Sequence, residues 1–110
     1  MSNIDPDDVA RFEAQAARWW DPAGEAKPLH RINPARLHFI RDRLAAQFGR
    51  DADSLKPFAG LTLLDIGCGA GLVAEPMTRL GFAVTGIDAG AAMIAAARAH
   101  AVAGALDVDY

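Results

Sequence analysis

With 110 residues, 52% of them apolar, the chain can bury one small core and is not a disordered tail. A net charge of −3 argues against a dedicated nucleic-acid surface, although the segment from Arg31 to Arg50 is locally basic. The single cysteine, Cys68, excludes an internal disulfide and a cysteine-rich zinc site.

The first residues carry no apolar signal-peptide core, and no stretch is long and apolar enough to span a bilayer, so the sequence reads as cytoplasmic. Asp5-Pro6 with Asp8 has the chemistry of a helix start: an acceptor at the N-cap, proline in the first turn, and an acid at the positive dipole end. Val9, Phe12, Ala16 and Trp19 then recur at spacings of three and four, which predicts a helix to about Trp20. Asp21-Pro22-Ala23-Gly24 breaks it. Adjacent tryptophans cannot share one helix face, so one of Trp19 and Trp20 docks on the core and the other is available to line a ligand pocket.

Glu25 to Ile32 has no usable period and contains Pro28, so it reads as an extended connection. Asn33-Pro34 repeats the helix-start pattern. Leu37, Ile40, Leu44 and Phe48 form the next stripe, with Gly49 as its stop. Arg36, Arg41 and Arg43 fall off that stripe and, on the residues alone, read as solvated. Pro34 separates His30 from His38, and these two with His100 match no metal-ligand spacing. Arg50 to Gly60 is a loop.

Leu61, Leu63, Leu64 and Ile66 leave almost no polar face, which predicts a parallel strand buried on both sides. Gly67, Gly69 and Gly71 follow at alternate positions, giving backbone that tolerates positive φ and lets a ligand lie directly on the main chain. A dinucleotide fingerprint would need glycine where Leu72 stands. Leu72, Val73, Met77 and Leu80 then mark a helix ended by Gly81, with Pro76 forcing a kink or a shifted start. A second strand, Phe82 to Ile87, closes on Asp88. A helix over Ala89 to Ala103 follows, packing through Met93, Ile94 and Ala97, and Leu106 to Tyr110 begins a third strand.

Strand, helix, strand, helix and strand start predict an α/β fold with a parallel sheet and right-handed crossovers. Within these residues Leu61 to Ile66 keeps an unpaired apolar edge. The sequence therefore leads us to expect either a longer protein or self-association through that edge. An ionised Asp88 offers two acceptor oxygens to a vicinal diol, and it also suits a cap for the next helix; the roles are compatible. Asp65 at the strand end either orders the loop or touches a ligand. Cys68 reads as a small loop residue, since no base is identifiable near it.

Asp65-x-Gly67-x-Gly69-x-Gly71 followed by Val84-Thr85-Gly86-Ile87-Asp88 resembles the first two motifs of class I S-adenosylmethionine-dependent methyltransferases. The resemblance implies the N-terminal part of a Rossmann-like sheet preceded by two helices. Residues 1–50 would cover the cofactor site, and residues 51–110 would form the first half of the S-adenosylmethionine-binding domain. It places Gly67, Gly69 and Gly71 against the cofactor, Asp88 on the ribose hydroxyls, and Asp65 at the acidic position that opens the motif. Phe12-Glu13-Ala14 through Arg18-Trp19-Trp20-Asp21, and Lys27-Pro28-Leu29-His30-Arg31-Ile32-Asn33-Pro34-Ala35-Arg36-Leu37, resemble the N-terminal region of ubiquinone-biosynthesis O-methyltransferases.

That narrower resemblance implies a polyprenylated catechol-type substrate methylated on a phenolic oxygen, a peripheral membrane contact for the lipid, and Arg36 as a cofactor-binding residue. A guanidinium suits the methionyl carboxylate through paired N–H donors. No catalytic base and no metal ligand is assigned, and the chain alone is expected to bind cofactor without turnover. Two alternatives remain: a nucleotide- or NAD-binding module, which Leu72 counts against, and a noncatalytic interaction domain.

Overall fold

The computed structural model describes residues 6–110, so Asp5, the expected first N-cap, lies outside the described residues. The elements are α1 (Pro6–Trp20), α2 (Lys27–Phe48), β1 (Thr62–Ile66), α3 (Ala74–Arg79), β2 (Ala83–Ile87) and α4 (Ala91–Ala103). β1 and β2 run parallel, with Thr62 opposite Ala83 and Ile66 opposite Ile87. Parallel neighbours need a crossover, and α3 lies on it. The expected third strand begins on the far side of β2. Gly86 donates to the Asp109 carbonyl at 2.7 Å, and Asp109 donates to that of Val84 at 3.0 Å. The fold is thus mixed α/β with a parallel sheet and flanking helices, a Rossmann-like arrangement.

One expectation for β1 is corrected. Leu63 and Asp65 face the covered side, but Leu64 and Ile66 are 58% and 74% exposed, because among the described residues nothing packs on that face. The core lies on the other side. Phe58 and Phe82 stack there with ring centroids 4.5 Å apart, joined by Ala45, Ala74, Met77 and Val84. Leu37, Ile40 and Leu44 of α2 close over this cluster as the stripe predicted, whereas Phe48 is half exposed and Ala45 is the buried residue of the last turns.

α2 also begins earlier than its pattern suggested. Residues 27–32 are helical, since Pro28 sits in the first turn, where a missing N–H costs nothing, and Pro34 is accommodated inside. His30 and His38 therefore share one continuous helix after all, but they serve different partners. His30 Nε2 donates to the Trp19 carbonyl at 2.9 Å, and His38 Nδ1 lies 3.2 Å from Arg41. Gly49 ends α2 in the left-handed conformation, as expected. In α3 the shifted start is realised: the helix opens at Ala74, leaving Pro76 in its first turn.

α4 starts at Ala91 and not at Ala89, and its buried residues are Ala96, Ala97 and Ala101, with Met93 and Ile94 only half buried. The small side chains let α1 come close, and Ala16 is buried in that region. Truncating Phe58, which is fully buried, to alanine is expected to cost about 3–5 kcal/mol in urea unfolding. The same change at Leu55, 94% exposed, should stay within about 0.5 kcal/mol.

Candidate cofactor site

The site grows from the turn that ends β1. Gly67, Gly69 and Gly71 take φ values of +77°, +54° and +95°, which side chains of L-residues rarely adopt. Gly67 and Cys68 both donate to the Ile87 carbonyl, at 2.7 and 3.0 Å, fastening the loop to the end of β2. Asp88 fastens it again. Its Oδ1 accepts from the Gly69 N–H at 3.1 Å and its Oδ2 from the Gly90 N–H at 2.8 Å. The acid thus organises both the loop and the approach to α4, while the N-cap of α4 is Gly90.

Two cavities adjoin this loop. One, of about 440 Å³, is lined by Trp19, Arg36, Asp65, Gly67 and Gly69 among others. The second, of about 430 Å³, is lined by Ile66, Gly67, Ile87, Asp88 and Ala89. Ile66 and Gly67 belong to both, so the cavities meet at the loop. Five of the six residues expected at the cofactor therefore line one or the other of these two cavities. Gly71 lines neither cavity: it is buried, and a Cβ there would collide with the Tyr110 hydroxyl. A Cβ at Gly67 would meet nothing within 4 Å, so the space in front of that backbone is open.

Arg36 is held by a residue that the sequence pattern presented only as a helix start. Asn33, 9% exposed, donates from Nδ2 to the Leu72 carbonyl at 2.9 Å. Its Oδ1 accepts from Arg36 Nε at 3.2 Å and Nη2 at 2.7 Å. A guanidinium has five N–H donors, so Arg36 retains donors for a ligand. The tryptophans divide as anticipated. Trp20 docks, donating from Nε1 to the Ala70 carbonyl at 3.0 Å, and Trp19 lines the cavity.

Burial pushes the Asp65 carboxyl above the usual carboxylate range; the Arg36 charge opposes this and the Asp88 charge adds to it. Among the described residues, Asp65 Oδ2 is buried and finds no hydrogen-bond partner. Burial, with Asp65 and Asp88 adding, also raises the Cys68 thiol, which keeps it protonated and consistent with a packing role. Among the described residues no group of three or more His, Cys, Asp or Glu side chains is placed to hold a metal ion. What pattern reading missed altogether is Glu75, a fully buried acid in the first turn of α3.

A glycine loop closing a parallel strand, with an acid after the next strand turned back onto it, is the arrangement of a Rossmann-like domain. Residues 63–110 match the family model described as a methyltransferase domain. Along its whole length the chain is similar to ubiquinone biosynthesis O-methyltransferases. It is 58% identical over 110 residues to that of Paramagnetospirillum magneticum, covering 100% of this chain and 44% of the relative. It is 59% identical over 108 residues to that of Caulobacter vibrioides, covering 98% and 43%. With the Ruegeria sp. protein the identity is 52% over 110 residues, covering 100% and 44%. The chain thus spans less than half the length of these relatives.

A raised carboxyl pKa means that the folded state holds the Asp65 proton more tightly than the unfolded chain does. Stability from this group therefore declines as pH rises from the unfolded value to the folded one, and is flat above. Asp65→Asn should unfold at a higher temperature than wild type at pH 7, with the gap closing below about pH 4. A gap that ignores pH, or a less stable variant, would contradict this.

Proposed function

We propose that this chain forms the S-adenosylmethionine-binding part of an O-methyltransferase acting on a phenolic hydroxyl of a polyprenylated catechol-type substrate. The observation that carries the reading is the convergence of Arg36, Asp65, Gly67, Gly69 and Asp88, from three separate segments, on two cavities with a common wall. The residues fit that cofactor. The spare donors of Arg36 suit the methionyl carboxylate, and the orphaned Asp65 Oδ2 suits its ammonium. Asp88 uses one acceptor site on each oxygen for the loop, leaving others for two ribose hydroxyls. Two carboxylates against one guanidinium favour a cationic sulfonium.

When bound, the cofactor supplies an electrophilic methyl group to the phenolic oxygen and leaves as S-adenosylhomocysteine. The chain's own contribution is alignment: preset backbone under the ligand, fixed acceptors at the ribose, and Trp19 excluding water from one wall. The names of the relatives support the ubiquinone-pathway acceptor. A prenylated acceptor is a lipid, and we extend the proposal to a cytoplasmic protein that touches the membrane peripherally. No helix among the described residues is long and apolar enough to cross one. The exposed Leu64 and Ile66, beside an edge of β1 that no strand among the described residues pairs with, support a further strand or a second copy pairing there.

Calorimetry tests the reading. S-adenosylhomocysteine should bind and NAD should give no heat. Asp88→Ala should weaken the former by about a hundredfold or more, since each hydrogen bond to a charge is worth about 1.5–3 kcal/mol. Arg36→Ala should weaken binding of S-adenosylhomocysteine more than that of adenosine, which lacks the carboxylate. Heat from NAD, or an Asp88→Ala variant that binds normally, would overturn it. The 110 residues alone should bind without methylating a catechol.

A further inference from the structure

Glu75 has no part in the cofactor contacts proposed above, yet it is 0% exposed, and an acid is buried so fully only where its partners compensate. Its Oε2 lies 2.6 Å from His100 Nδ1 on α4, and its Oε1, which has no hydrogen-bond partner among the described residues, lies 3.8 Å from Arg79. The His100 ring stacks on Trp20 of α1, with centroids 3.9 Å apart and planes within 5°. Trp20 in turn donates to the Ala70 carbonyl inside the glycine loop. The Glu75 backbone N–H donates to the Gly71 carbonyl at 3.0 Å. These contacts close a ring: Gly71, Glu75, His100, Trp20 and Ala70 lead back to the neighbouring residue of the same loop.

We infer that Glu75 and His100 are positioning residues that hold Trp20 on the loop and so preset the Ala70–Gly71 peptide for the ligand. That peptide is tied at both ends. Its carbonyl accepts from Trp20, and its N–H donates to the Cys68 carbonyl at 3.1 Å. Trp19, the residue before Trp20, lines the larger cavity. The ring joins α1, α3, α4 and the loop, so one imidazole couples the N-terminal helix to the shape of the cofactor cradle. A loop held in its bound conformation before binding loses less freedom on binding, which raises affinity.

The test follows the Trp20 indole N–H and the Gly69 and Gly71 amides by ¹H–¹⁵N NMR and hydrogen exchange, alongside S-adenosylhomocysteine affinity. His100→Ala is expected to shift the indole resonance, speed exchange at both amides, and weaken affinity about tenfold. Added imidazole should reverse these changes, because it can fill the gap, stack on Trp20 and donate to Glu75. His100→Gln, which keeps a donor for Glu75 but no ring, should preserve the fold while still moving the indole. Phe58→Leu, destabilised in the core, should lower the thermal midpoint and move neither probe.

An unchanged indole and loop in His100→Ala, or equal changes in Phe58→Leu, would overturn the inference. So would shifted probes with unaltered affinity. The affinity arm rests on the cofactor reading. A wild type that binds no S-adenosylhomocysteine defeats that reading, while the indole and amide probes still decide this one.

Discussion

The Ile87 carbonyl accepts from two consecutive amides, those of Gly67 and Cys68, and the site depends on that convergence. A carbonyl has two lone pairs, and using both draws the end of β1 tightly against the end of β2. To present two neighbouring N–H groups to one oxygen the chain turns sharply, and Gly67 turns it at a φ of +77°. Asp88, the residue after that carbonyl, is thereby brought under the loop and reaches the Gly69 amide. The sheet's register, the glycine spacing and the placement of the acid are thus one geometric solution.

Electrostatically the site is unbalanced on purpose of its own layout. Burial raises the cost of ionising Asp65, Arg36 lowers it and Asp88 adds to it, while the Arg36 guanidinium is also engaged by Asn33. Without a compensating charge that cost is carried as lost stability, and the cationic ligand proposed above would relieve it. On the proposed reading, binding and stability would oppose each other at Asp65, as is common where a site is built for a partner.

The parts legible in the sequence were those set by local pattern. The apolar run into alternate glycines, the second strand ending at Asp88, and the turn at Gly49 all appear where periodicity and backbone chemistry placed them. The family resemblance drawn from the same residues is matched by the relatives reported above. What pattern could not give depends on distant partners. Arg36 falls off the apolar stripe of α2 and looks solvated, but the bond from Asn33 to Leu72, 39 residues away, turns that face to the loop. Pro34 looked like a boundary because the residues before it had no period, yet packing carried the helix through. Glu75 stood in no pattern that the sequence singled out, and its buried partner, His100, lies 25 residues away.

The separation of those contacts along the chain has a consequence for assembly. Trp20 meets Ala70 across 50 residues, whereas β1, α3 and β2 are joined by short connections. Closing long loops costs entropy before any contact rewards it, so nearby pieces associate first. Loop-closure entropy thus favours early association of the strand–helix–strand unit and later docking of the first helix, the step that supplies the Trp19 wall of the larger cavity.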